Sequence, residues 1–160
     1  MNKGKLALAA ALAAAACTTP GMQPARLTVT LTGLQEVPGP GDPDGTGTVE
    51  VRVDPRNGEV CWNLYARQID AATAAHIHRG AAGVAGPPVV PLTTPDTAGR
   101  SQGCQILDLA LARQIHARGY DYYVNVHNAP HPQGAIRGQL QGAGPIRPQP
   151  ARRAGEPQQR

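Results

Sequence analysis

The chain has 160 residues, 41% hydrophobic and 16% charged, with a formal net charge of +4. That length suggests one domain, and that composition excludes a disordered middle. The positive excess makes no nucleic-acid surface: Lys3 and Lys5 open the chain, Arg147, Arg152, Arg153 and Arg160 lie near its end, and no basic stripe with interleaved aromatics joins them.

Met1–Lys5 carries two lysines, Leu6–Ala16 is an unbroken apolar run, and Cys17 follows directly. A charged start, a short apolar stretch and small residues before the break predict a secretory signal over 1–17. The run falls short of the ~20 apolar residues that span a membrane. Small residues ending in Cys resemble a bacterial lipobox, although Ala14 stands where Leu is usual. Lipidation of Cys17 is therefore expected, with plain secretion after cleavage near Ala16 as the alternative. Several acyl chains would hold the protein at a membrane where one barely does. Residues 18–25 read as a tether.

Arg26–Gln35 alternates, with Leu27, Val29 and Leu31 on one side and threonines on the other, which predicts a half-buried strand. Glu36–Thr46 is a Pro/Gly/Asp loop. Thr48–Asp54 alternates again on Val49, Val51 and Val53, and Asp54–Gly58 (DPRNG) is a turn that returns the chain into Glu59–Ala66. In that arm Val60, Trp62 and Leu64 share one face, and Cys61, Asn63 and Tyr65 the other. Ala74–His78 and Val89–Leu92 are short strands around a Gly/Pro loop. Leu107–Arg118 is predicted as the one helix, from Leu107, Leu111 and Ile115 at i, i+4 and i+8, with Gly119 at the place of a C′ glycine. Asp121–His127 and Ala135–Gln141 are the last strands, and 142–160, rich in Pro, Gln and Arg, is expected to be a disordered tail. Six or seven strands with Gly/Pro turns and one short helix predict a mainly β protein, an antiparallel β-sandwich over residues 26–141. With Phe absent, its core must come from Val, Leu, Ile and Ala.

Setting Cys17 aside leaves Cys61 and Cys104. Two cysteines in an exported chain most simply pair, closing a loop of about 44 residues worth on the order of 4 kcal/mol; two buried thiols are the alternative.

The histidines carry the main chemical signal. His76 and His78 are two apart on a predicted strand, so both rings leave the same face about 7 Å apart at Cα, close enough to share an ion. His127 ends another strand, with Asn125 on its face. Three imidazoles suit copper or zinc, and copper is favoured outside the cytoplasm. His131, four residues beyond His127, is a candidate fourth ligand. His116, in the helix's last turn, is read as structural. Arg137 could anchor a carboxylate, with an internal salt bridge as the simpler role. The Gly80–Gly86 loop lacks the Lys of a phosphate loop and is expected to pack against the histidine strand. No serine triad or carboxylate pair is apparent.

Leu31–Pro38 (LTGLQEVP), Ala75–Val90 (AHIHRGAAGVAGPPVV), Tyr122–His127 (YYVNVH) and Gly134–Gln139 (GAIRGQ) together resemble the CHRD (chordin-repeat) domain, from about Leu27 to Leu140. Ala135 departs from the family's usual Glu, and His131 lies in a variable stretch. The resemblance implies an extracellular β-rich module, as in exported bacterial proteins, and no reaction. The H-x-H pair is also locally similar to copper–zinc superoxide dismutase, a Greek-key sandwich, but a bridging histidine and zinc loop have no clear counterpart. Asp96, Asp108 and Asp121 lack ligand spacing.

Three functions follow as expectations. The first is a metal-binding module of the periplasm or outer envelope, without turnover, its membrane contact limited to the anchor. The second is a metal-free adhesion module that binds another envelope or extracellular protein through Glu36–Gly47 and Gly80–Pro88. The third is a dismutase-like enzyme.

Overall fold

The computed structural model describes residues 23–142. The expected signal with Cys17, most of the tether and all but the first residue of the tail lie outside them. Eight strands follow in chain order: β1 (Ala25–Thr32), β2 (Thr46–Asp54), β3 (Glu59–Arg67), β4 (Ala72–Arg79), β5 (Pro88–Leu92), β6 (Arg100–Ile106), β7 (Tyr122–Asn128) and β8 (Ile136–Gln139). One helix, α1 (Leu109–Ala117), lies between β6 and β7. Among the described residues the fold is mainly antiparallel β with one α-helix, as the periodicity predicted. All eight strands belong to one sheet, in the order β5-β4-β7-β8-β1-β2-β3-β6. The sheet curls until its edges approach: Gln105 Nε2 on β6 donates to Pro91 O on β5 at 2.9 Å.

The alternating strands put their apolar residues inward as read. Leu31, Val49, Val51, Val53, Val60 and Leu64 are buried, and they join Ile77, Val90, Val124, Val126 and Ile136 in a single core. Each such side chain contributes about 1.5–3 kcal/mol. The hairpin of β2 and β3 turns through Gly58 at φ +82°, the left-handed backbone that only glycine adopts freely. Cys61 and Cys104 lie directly opposite in the β3–β6 ladder and are disulfide-bonded.

Three sequence expectations change. The strand β6 (RSQGCQI) carried no apolar period, because the residues it turns toward the core are not apolar. Ser101 accepts from Trp62 Nε1 at 3.1 Å and donates to Thr93 O, and Gly103 lies where a Cβ would meet the Trp62 ring at 2.5 Å. The helix begins two residues later than predicted, because the Asp108 carboxylate caps it by accepting from the Ala110 and Leu111 amides. Gly119 does not adopt the left-handed C′ conformation, since Arg118 caps the helix at φ −131° and Gly119 opens a 3-10 turn. Its missing Cβ instead lets the Gln141 backbone approach, at 2.6 Å from where that atom would stand. His116 is structural, as read: it is buried and its Nε2 lies 2.9 Å from Gln23 O, tying α1 to the chain before β1. Among the described residues no helix is long and apolar enough to cross a membrane.

Candidate metal centre

The inward face of β4 and β7 is apolar, with Ala75 and Ile77 beside Val124 and Val126. Period-2 geometry sends the residues between them to the outer face. There the ladder sets His76 opposite Asn125, His78 opposite Tyr123 and Ala74 opposite His127. On the neighbouring β8, Arg137 pairs with Asn125 and Gln139 with Tyr123. This outer face is not left to solvent: His78, Asn125, Tyr123 and Arg137 are all buried.

The cover is the Gly80–Gly86 loop, packed on the histidine strand as expected. Arg137 donates to Ala81 O and Val84 O, both at 3.0 Å, and its guanidinium lies 3.4 Å from the centroid of the Tyr123 ring. Its role is therefore to hold the loop through backbone carbonyls and a cation–π contact, rather than to form the salt bridge expected. The Tyr123 hydroxyl donates to Gly86 O at 3.3 Å.

Three of the four predicted ligands converge. One ring nitrogen from each of His76, His78 and His127 lies within 4.8 Å of the others. Two of the rings are oriented from behind. His78 Nδ1 donates to Gly86 O at 2.8 Å and His127 Nδ1 donates to Pro132 O at 3.1 Å. Those bonds place the lone pair of each ring on Nε2, the arrangement by which backbone carbonyls fix metal-binding imidazoles. His76 Nδ1 faces His127 Nε2 at 3.3 Å. His78 Nε2 is buried with no hydrogen-bond partner. The structure does not bring His131 into this group; it sits half-buried in the turn after β7, its backbone N–H donating to Asn128 Oδ1 at 2.9 Å.

Burial lowers the basicity of all three rings, and mutual repulsion adds to it for His76 and His127. Both effects favour the uncharged ring, the form that binds metals. Behind them lies a group that the sequence did not flag. Glu36, in the loop after β1, is buried, and desolvation raises its carboxyl to about pH 7, against the opposing pull of Arg137 and of the Asn125 amide. Its carboxylate occupies the space a side chain at Gly134 would need, with its atoms 2.4 Å from that position. A lone acid in a Pro/Gly loop reads as exposed, so no pattern could have placed Glu36 there.

The CHRD domain family model matches residues 27–140. No curated protein and no solved structure matches the chain.

Proposed function

The chain belongs to the CHRD-domain family, and from that premise we propose that it is an exported module that binds a metal ion through His76, His78 and His127. CHRD domains are typically extracellular. The observation that carries the reading is the convergence of three imidazoles, with the Nδ1 atoms of His78 and His127 held by backbone carbonyls and the Nε2 of that same His78 buried and unpaired. Copper is favoured over zinc, because nitrogen sites bind Cu(II) more tightly and both ions accept imidazole. The role is capture or buffering of the ion at the cell envelope, with Cys17 as the lipid anchor.

Calorimetric titration of the full chain with Cu(II) and Zn(II) tests this. Sub-micromolar binding is expected, weakened about 100-fold or more in His76→Ala and in His127→Ala. A second reading, a metal-free protein-binding module, draws on exposed Leu34 and Val84, apolar side chains at or beside the expected binding loops. Absence of binding by the wild-type chain, with the histidine variants as stable as it is, would leave that second reading.

A further inference from the structure

We propose that Asn125 supplies a fourth donor, its Oδ1, so that the ion is held by three imidazoles and one amide oxygen; this rests on the metal reading above. Asn125 stands directly opposite His76 in the β4–β7 ladder and two residues before His127. Its side chain therefore leaves the same face as the three imidazoles. It is 2% exposed, and its Oδ1 has no hydrogen-bond partner. His78, whose ring the Asn125 amide reaches, likewise has a buried Nε2 without a partner. With His78 Nδ1 donating to Gly86 O, both orphaned atoms are acceptors. A buried acceptor without a partner costs about 1–3 kcal/mol, and native proteins seldom leave two together. A cation between them satisfies both at once.

The opposite amide orientation would give His78 an N–H. It would also turn Oδ1 toward Glu36, so that the amide N–H no longer serves that carboxylate in its ionised form. In the orientation present, the amide N–H serves Glu36 and the oxygen is left for the ring side. The oxygen also bears on which ion is taken. A hard amide donor added to three imidazoles favours Cu(II) and Zn(II) over the softer Cu(I).

The test uses the full chain as wild type, Asn125→Ala, Asn125→Asp and His76→Ala. Competition titrations give the Cu(II), Zn(II) and Cu(I) affinities, and electron paramagnetic resonance reports the Cu(II) donor set. Asn125→Ala is expected to weaken Cu(II) and Zn(II) at least about tenfold, the loss that even outer-shell partners carry, while leaving Cu(I) affinity unchanged. Asn125→Asp keeps an oxygen donor, so it retains Cu(II) binding and alters the hyperfine pattern. Wild-type affinity and spectrum in Asn125→Ala, with binding lost in His76→Ala, would overturn the oxygen donor and leave the three-histidine centre standing. If Asn125→Ala does not fold, a Cu(II) spectrum unchanged in Asn125→Asp overturns it equally. Failure of the wild-type chain to bind either divalent ion brings down both.

Discussion

Along β1, burial alternates: Leu27, Val29 and Leu31 are inside and Thr28 and Thr30 at the surface, whereas along β7 every residue but His127 is buried. The β1-β2-β3 region has one face for the core and one for water. The β4-β7-β8 region has a core face and a second, polar face closed under the Gly80–Gly86 loop. A polar layer kept from water must satisfy its own hydrogen bonds, and orphaned atoms remain there on Glu36, His78, Asn125 and Arg137. The first region supplies stability, and the second uses some of it to hold unsatisfied groups in place.

The largest effect that would break this division is expected at the disulfide, on the first region. Cys61→Ser with Cys104→Ser opens a link between residues 43 apart and should cost about 4 kcal/mol in denaturant unfolding. Metal affinity measured under conditions where the double variant stays folded should not change. If affinity falls in the folded double variant, the two regions are not separable.

Next in size is a pH effect that belongs to the second region. Glu36 has its folded pKa raised from 4.5 to about 7, so the folded state holds that proton more tightly than the unfolded chain. The stability this confers is complete below about pH 4.5 and is lost as pH rises to about 7. Glu36→Gln removes the titration, and at pH 8 the variant should be more stable than the wild type by up to about 3 kcal/mol. Denaturant unfolding of both proteins across pH 4–8 checks it; parallel stability curves would mean that Glu36 does not titrate in this window.

The smallest effect is on neither face. Asp108→Ala removes the cap of α1 and should lower stability by about 1 kcal/mol, in thermal unfolding, with metal binding untouched.

The same contrast explains what could be read in advance. Where a strand meets water on one side, its alternation is visible, so β1, β2 and β3 were legible with their inward residues. The histidine centre was legible for a related reason: H-x-H on a strand fixes two rings to one face, and His127 completes the set from the adjoining strand. What stayed hidden depends on partners distant in sequence. The strand β6 is inward-facing through Ser101 and Gly103 only because Trp62 lies across from it. The burial of Glu36, the loop-holding role of Arg137 and the orphaned Asn125 oxygen arise where the loops fold back over β7 and β8, and no local pattern records that. His131 is near His127 only along the chain, four residues on, and the turn after β7 carries it elsewhere.

The acceptors that orient His78 and His127 are the carbonyls of Gly86 and Pro132. Every residue type provides that atom, so side chains in the two loops can drift without disturbing the tautomers, except where a close approach demands glycine, as at Gly86 and Gly134. A library randomised at loop positions such as Ala82 and Gln133 should therefore retain the centre, whereas inserting or deleting a single residue there should scatter it.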